Sequence, residues 1–173
     1  MHHTKRIAKA EWKTHFESVL LEIRSGCFEN AEELVHQSLS VHFATGRLWA
    51  TLIQLQHARA KTTEEFDQAF STFNQALREI PKSGEVWCEG ARIAMADVAA
   101  NRNFKIEKAE NYLNFAIQFT PQYGDSFLEM LKLYLITDQQ SKIAALKQQC
   151  IHAEPNYGVL WFFYKDSTLD NAM

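Results

Sequence analysis

The sequence predicts an all-α protein: a right-handed α-solenoid of tandem antiparallel helical hairpins, with about nine helices in four pairs plus a C-terminal helix. The first observation is a glycine followed three residues later by an aromatic residue, which recurs at intervals of 34 to 40 residues. Three of these glycines also have a proline three residues before them, and the segments between have helical spacing. A helical period of this length indicates stacked hairpins. The motif pairs Gly46 with Trp49, Gly84 with Trp87, Gly124 with Phe127 and Gly158 with Trp161, and Trp12 extends the aromatic series backwards.

The first hairpin is predicted over about 5–43. Its first helix, about 5–25, places Trp12, Phe16 and Val19 on one stripe at the steps of three and four residues that an amphipathic helix requires. Gly26 should end this helix in the left-handed conformation that glycine adopts without strain. The second or return helix follows over about 29–42.

The next two hairpins are predicted over about 44–81 and 82–121. Helices of about 46–60 and 64–80 form the second hairpin, where Thr62-Thr63 with Glu65 resembles a capping box. Pro81 should end it, because proline disfavours helix in the residue before it. The third hairpin has helices of about 84–100 and 106–119, separated by the turn-forming trio 101–103.

The fourth hairpin, about 122–155, has helices of about 124–137 and 140–152, and a half unit of about 156–167 begins near Asn156. Because no linker or low-complexity segment divides the chain, we expect one repeat domain over 1–173. The alternative is an irregular helical bundle with accidental tryptophan spacing.

The return helices carry a second column, made of small residues seven apart. Small residues let two helix backbones approach to about 8–10 Å, with a large ring on the facing helix filling the groove. The pairs are Ala31 and Ser38, Ala69 and Ala76, and Ala109 and Ala116, and Ile143 and Cys150 stand at these places in the fourth unit.

Composition excludes several classes of function. The net charge is −3 over 173 residues, so the chain has no global attraction for nucleic acid or anionic membrane. No apolar run approaches the ~20 residues of a membrane span, and the N-terminus does not resemble a secretory signal. Three widely separated cysteines predict reduced thiols in an intracellular protein, cytoplasmic or nuclear.

Motifs for catalysis, metal or cofactor binding are missing from the sequence. It has no phosphate-binding glycine loop, no Gly-x-Ser-x-Gly and no His-Glu-x-x-His. Cys88 has no cation beside it in sequence, which argues against a reactive thiol. We therefore expect a protein that is not an enzyme and has no cofactor or metal. The scattered histidines are interpreted as structural (His15, His36, His42, His57 and His152), and the acidic pairs as helix-capping groups (Glu32 and Glu33, Glu64 and Glu65, Glu107 and Glu110).

These columns resemble the tetratricopeptide repeat (TPR) and its relative, the half-a-TPR (HAT) repeat of RNA-processing scaffolds. The matching residues are Trp49, Leu52, Ala69, Ala76 and Pro81 in one unit and Trp87, Ala109, Ala116 and Pro121 in the next. The step from Trp161 to Tyr164 is similar to the HAT first helix. The resemblance covers about 12–166, although the first three intervals exceed the usual ~34 residues.

The resemblance implies that the first helices line a concave groove that binds a protein segment. The positions one, five and eight residues after each aromatic share a helical face. We expect contacts there from Lys13, Glu17 and Leu20; Ala50, Gln54 and His57; Cys88, Arg92 and Met95; and Leu128, Lys132 and Leu135. Apolar side chains would bind a peptide or partner helix, and the polar ones would fix its register.

The C-terminal helix is aromatic most of the way round. Trp161 and Tyr164 occupy core columns, whereas Phe162 and Phe163 lie off them. The last element of a solenoid should have a polar outer face. We therefore expect either a longer repeat array or a contact edge at Phe162 and Phe163 for a partner or a second copy.

Three functions follow as hypotheses. The first is a non-enzymatic interaction scaffold that binds a peptide or helical segment in its groove and through its C-terminal helix. The second is a HAT-type subunit of an RNA-processing assembly, with contacts mediated by protein. The third is a helical enzyme or metalloprotein, which bound zinc or a cofactor absorption band would support.

Overall fold

The computed structural model describes residues 2–96 and 102–169, with side chains described over 11–96 and 105–164. Over these residues the regular structure is entirely helical, which confirms the predicted all-α class. A single isolated bridge joins Tyr123 and Tyr157. The described helices are α1 His2–Arg24, α2 Phe28–Val41, α3 Gly46–Arg59, α4 Thr63–Glu79, α5 Gly84–Ala96, α6 Arg102–Phe119, α7 Gly124–Ile136, α8 Gln140–Ala153 and α9 Val159–Leu169.

The helices belong to two compact units, Met1–Pro81 and Lys82–Met173. In the N-terminal unit α1 packs on α2, α2 on α3 and α3 on α4. In the C-terminal unit α5 packs on α6, and α7 packs on α5, α6, α8 and α9. The division between the units coincides with the predicted division between the second and third hairpins. That all four hairpins form a single repeat domain stays a prediction.

Two helix-boundary predictions are confirmed in detail. Gly26 follows α1 with a φ of +76°, in the left-handed region. At the start of α4, the Glu65 N–H donates to Thr62 Oγ1 at 3.3 Å, and the Thr62 N–H donates back to Glu65 Oε2 at 3.1 Å. This reciprocal pair is the predicted capping box, and it stabilises the first turn because both N–H groups lack intrahelical partners.

The predicted turn at 101–103 is wrong in part. Arg102 and Asn103 already belong to α6, which begins four residues earlier than expected, whereas Asn101 lies outside the described residues. Arginine is a good helix former, and asparagine is tolerated near a helix N-terminus. The early start gives α6 one more turn than the sequence pattern indicated.

The capping interpretation of the glutamates is also partly wrong, because two of the acidic pairs lie beyond the first turn of their helices. Glu32 instead accepts from Gln56 Nε2 at 3.0 Å and from Arg59 Nη1 at 3.4 Å. Glu110 accepts from Tyr134 Oη at 3.1 Å and from Lys142 Nζ at 2.5 Å. These carboxylates connect neighbouring helices rather than cap their own.

The small-residue column is buried in the first three units, whereas Ile143 and Cys150 at these places in the fourth unit are only half-buried. Its alanines in α2, α4 and α6 have no exposed surface. The glycine column marks the closest approaches: a Cβ placed on Gly84 would lie 2.5 Å from the Ala116 carbonyl oxygen. A Cβ on Gly124 would lie 2.3 Å from the Trp161 ring. Gly84 therefore lets the backbone of α6 come close, and Gly124 leaves room for the Trp161 ring.

The N-termini of the first helices in the C-terminal unit are capped by groups from a later segment or an earlier helix. The Gly84 N–H donates to Thr120 Oγ1 at 2.9 Å, and the Gly124 N–H donates to the Tyr157 carbonyl at 2.8 Å. The Trp161 N–H, in the first turn of α9, donates to Asp125 Oδ1 at 2.9 Å. These N–H groups have no partner within their own helix. The Gly84 bond therefore closes the third hairpin, whereas the Gly124 and Trp161 bonds fix the fourth hairpin against the half unit that follows.

Candidate functional site

A buried group of charged side chains joins α5 to α7, and we call it the Arg92 cluster: Arg92, Glu89, Asp125 and Glu129. Arg92 Nε lies 2.8 Å from Glu129 Oε1, Nη2 lies 3.4 Å from Asp125 Oδ2, and Nη1 contacts Glu89 Oε1. The Arg92 side chain is 16% exposed and the three carboxylates are nearly fully buried. One guanidinium thus holds three carboxylates that come from two first helices.

The negative charge of the cluster exceeds its positive charge, and this governs its protonation. Burial raises the pKa of Glu89 to about 7, although the Arg92 guanidinium lowers it, and Glu129 and Asp125 raise it further. Glu129 Oε2 is buried without a hydrogen-bond partner, and Lys132 Nζ lies 3.6 Å from it. A proton on Glu89 relieves the repulsion among the carboxylates.

A carboxyl with a pKa near 7 has the proton affinity that a general acid or base needs. Glu89, however, is buried and paired with Arg92, and it lines neither of the two cavities described below. Burial also raises the pKa of the fully enclosed Cys88 thiol, so that it stays protonated. The geometry is that of a structural tie between two hairpins.

Sequence reasoning missed the cluster, although a signal was present. Glu89 and Glu129 both stand two residues after the aromatic of their repeat. Two acidic residues in one column of stacked repeats face each other and require a cation between them, and Arg92 supplies it. Assigned to the groove by its place five residues after Trp87, Arg92 instead lies inside the unit.

Other predicted groove residues are accessible. Lys13, Glu17 and Gln54 are exposed in the N-terminal unit, where His57 is half-buried with its ring 5.8 Å from that of Phe66. In the C-terminal unit Leu128 is half-buried, and Lys132 and Leu135 are exposed. These last three share one face of α7, since they are four and three residues apart.

Two predicted groove contacts need correction besides Arg92. Cys88 is fully buried, so its side chain packs in the core and offers nothing to a ligand. Ala50 is buried as well. Met95 is largely buried and lines a cavity at the end of its hairpin.

That cavity is an apolar hollow of about 210 Å³ in the C-terminal unit. It is smaller than the roughly 300–1,000 Å³ of small-molecule pockets, and its size suits one or two side chains. Three of its lining residues lie at the C-terminal end of α7. It is lined by Ala94, Met95, Lys105, Ile106, Leu133, Ile136 and Thr137.

The N-terminal unit has an open cleft of about 670 Å³ where the N-termini of α2 and α4 meet the C-terminus of α3. Charged side chains on its wall already pair with one another, as Arg59 does with Glu29 and Glu32. Among the described residues, no group of three or more His, Cys, Asp or Glu is arranged to hold a metal ion. No described helix has the length and apolar character needed to cross a membrane.

The C-terminal helix exposes the aromatic residues that the sequence singled out. Phe162 is 59% exposed and Phe163 is 72% exposed, while Trp161 packs over Gly124. Tyr164 was expected in the core but is 51% exposed. In the described part of the chain, α9 packs on α7 and no return helix follows it.

Comparison with known proteins agrees with this architecture. A TPR-containing protein of Dictyostelium discoideum is 43% identical over 166 residues, which are 95% of this chain and 12% of that protein. A thermophilic TPR protein of Thermus thermophilus superposes with a TM-score of 0.63 at 16% identity, over 83% of this chain and 74% of the other. YrrB, a TPR protein with an unusual peptide-binding site, gives 0.51 at 13% identity over 84% and 70%.

The structural matches confirm the predicted α-solenoid fold and the TPR resemblance. Families with this fold are generally non-catalytic scaffolds. The family described as the PRP6 TPR-like domain matches residues 1–173, the whole of this sequence. The chain therefore belongs to the PRP6 TPR-like domain family.

Proposed function

We propose that this chain is a protein-interaction scaffold that binds a peptide or helical segment of a partner on the exposed first-helix face of its C-terminal unit. We call this surface the α7 face and define it by Leu128, Lys132 and Leu135. The observation that supports it is the exposed pair Lys132 and Leu135 on α7, a helix whose C-terminal end also lines an apolar hollow.

The chemistry of the α7 face suits a protein segment. Leu135 and the hollow remove apolar side chains of the partner from water, which is the main source of affinity. Binding energy at interfaces concentrates in a few anchors that fill pockets. Lys132 Nζ lies 3.6 Å from Glu129 Oε2 and its side chain is 62% exposed, so the ammonium can also donate to a carboxylate of the partner. The proposed segment therefore carries a large apolar residue with a carboxylate nearby.

The test starts from a peptide library selected against the whole chain, with affinities then measured for Leu135→Ser and Lys132→Glu. We expect each to weaken binding at least tenfold. Leu21→Ser is the matched control, since Leu21 is equally exposed but lies on α1 of the N-terminal unit. Selected peptides that bind both α7 variants as tightly as the wild type would contradict the proposal.

A second candidate is a subunit of an RNA-processing assembly, and family membership is the observation that favours it. With a net charge of −3, the chain would join such an assembly through protein contacts rather than by gripping phosphates. An RNA oligonucleotide that the isolated chain binds with an affinity falling steeply with salt would overturn that protein-mediated role. The role would be supported if the chain stays in the assembly at any salt concentration and the Leu135→Ser and Lys132→Glu variants do not.

A further inference from the structure

Lys132 connects the α7 face to the Arg92 cluster. Its side chain is exposed on that face, and its Nζ lies 3.6 Å from Glu129 Oε2. Glu129 stands one helical turn before Lys132 and is nearly fully buried. The other oxygen of the same carboxylate, Oε1, accepts from Arg92 Nε at 2.8 Å. A charge bound by Lys132 therefore lies close to a buried group of carboxylates.

The charge balance of the Arg92 cluster makes it sensitive to the Lys132 ammonium. Three buried carboxylates share one guanidinium, and Glu129 Oε2 has no hydrogen-bond partner among the described residues. Even with the ammonium counted, three anions face two cations when all are ionised. Charges in a buried site interact more strongly than they do in water, because the local dielectric constant is low.

Glu89 is the carboxyl of the cluster that can respond to added negative charge by binding a proton. Burial raises the pKa of Glu89 to about 7, although Arg92 lowers it, and Glu129 and Asp125 raise it further. At neutral pH both forms of Glu89 are therefore present. One more negative charge close to the cluster increases the protonated fraction.

The other surroundings of Glu89 do not respond in this pH range. Cys88 of α5 and Tyr123, which precedes α7, interact with Glu89, and both stay neutral because burial raises their pKa values. The other helix packed on α5 is α6. Its buried residues are apolar: Ala109, Leu113, Ala116 and Ile117.

We propose that an acidic partner segment bound on the α7 face drives proton uptake by Glu89, so that the chain binds such segments more tightly at lower pH. This inference rests on the scaffold function proposed above and names the regulation of that site. A partner carboxylate that pairs with Lys132 brings a negative charge next to Glu129 and competes with it for the ammonium. Both effects favour the protonated form of Glu89.

The direction of the pH dependence follows from linkage. If binding raises the proton affinity of Glu89, protonation of Glu89 raises the affinity for the segment by the same factor. The affinity is therefore highest below about pH 7 and decreases as the pH rises above that value.

Calorimetric titration of the full chain with the library-selected segment, in two buffers with different heats of ionisation, measures the protons taken up. We expect fractional uptake near pH 7 and an affinity that decreases about threefold as the pH rises from about 6.5 to 8.5. Glu89→Gln should abolish both, since an amide cannot take up the proton. A selected segment with its carboxylates replaced by amides should bind without proton uptake.

The free chain provides a second measurement that needs no partner. NMR of the side-chain carboxyl carbon follows the titration of Glu89, and Lys132→Gln should raise its midpoint by about half a pH unit. Lys147→Gln is the matched control, because Lys147 is an exposed lysine of the same unit on α8. It should leave the midpoint of Glu89 unchanged.

The same Glu89 midpoint in Lys132→Gln and the wild type would overturn the inference. Binding on the α7 face without proton uptake, or uptake that persists in Glu89→Gln, would also overturn it and leave the α7 face standing. If the selected segments bind Leu135→Ser and Lys132→Glu as tightly as the wild type, the scaffold proposal falls and the inference falls with it. A raised Glu89 midpoint in free Lys132→Gln distinguishes that result from an absent coupling.

Discussion

Two arginines hold carboxylates between helices, one in each unit, and their environments differ sharply. Arg59 pairs with Glu29 and Glu32 at the surface, where its side chain is 35% exposed and that of Glu29 is 79% exposed. Arg92 pairs with three carboxylates that are almost completely buried. We therefore expect the same residue type in the same kind of bridge to contribute little to stability in one unit and much more in the other.

The difference follows from desolvation. Exposed ion pairs contribute about 0–1 kcal/mol, because water solvates the separated charges almost as well and salt screens them. Buried charges have lost that solvation, so removal of one partner leaves the others uncompensated. We therefore expect the packing of α5 against α7 to depend on the buried ion pairs of Arg92.

The largest expected effect is from Arg92→Met. It should lower the free energy of unfolding by about 3–5 kcal/mol, the usual cost of breaking a buried ion pair. Arg59→Met should cost less than about 1 kcal/mol. Denaturant unfolding of both variants at neutral pH measures the contrast. Equal losses would show that the Arg92 cluster is hydrated in solution, and the comparison would then fail.

The next largest expected loss of stability is from substitution of two glycines with positive φ, Gly26 in the N-terminal unit and Gly158 in the C-terminal unit. Gly26 has open space around its Cβ position, so Gly26→Ala should cost only the left-handed strain, about 1–2 kcal/mol. Gly158 has a φ of +137°, and a Cβ there would lie 2.2 Å from Asp125 Oδ1. Gly158→Ala should therefore cost clearly more.

Unfolding midpoints of the two glycine variants give the ranking. Hydrogen exchange adds a local readout, because the Trp161 N–H donates to Asp125 and should lose protection in Gly158→Ala alone. Faster exchange at Trp161 in Gly26→Ala, or equal costs for both variants, would argue against the cap on α9.

A further contrast concerns the pH dependence of stability, where the two units should have opposite signs. The pKa of Glu89 is raised from 4.5 to about 7, so the folded protein binds more protons than the unfolded chain between these values. Stability from Glu89 is therefore present below about pH 4.5 and is lost as the pH rises towards 7. Backbone N–H bonds from Lys61 and Thr62 instead lower the pKa of Glu65. Its contribution is present above pH 4.5 and is lost as the pH falls below that value.

Glu89→Gln and Glu65→Gln isolate these contributions. Relative to the wild type, Glu89→Gln should gain stability as the pH rises from 5 to 7. Glu65→Gln should differ from the wild type by an amount that shrinks below pH 4.5. Unfolding midpoints over pH 3–8 provide the measurement, and parallel curves for Glu89→Gln and the wild type would refute the raised pKa.

Most of the fold could be predicted because each repeat marks its own boundaries. Gly26 and the Thr62–Glu65 box mark helix ends by backbone chemistry that needs no tertiary context. The alanine column could also be predicted, because only small residues such as Ala69 and Ala76 let two helices pack closely. The start of α6 was missed because asparagine and arginine are compatible with both a turn and a first helical turn.

The candidate site was less predictable, because the exposure of a side chain depends on how much of its helix is covered by neighbouring helices. Gln54, Arg92 and Lys132 each stand five residues after the aromatic of their repeat. Gln54 and Lys132 are exposed, whereas the Arg92 side chain lies inside its unit. The sequence pattern treats these three positions alike. What distinguishes Arg92 is the pair of acidic residues in one column, Glu89 and Glu129, whose repulsion draws the guanidinium inward.

The most direct test of the central claim is a map of backbone amide chemical-shift changes when the library-selected segment binds the full chain. The account predicts the largest changes at Leu128, Lys132 and Leu135 and at residues around the hollow, including Met95. Changes confined to the outer faces of the return helices α6 and α8, with the amides of α7 unmoved, would contradict it.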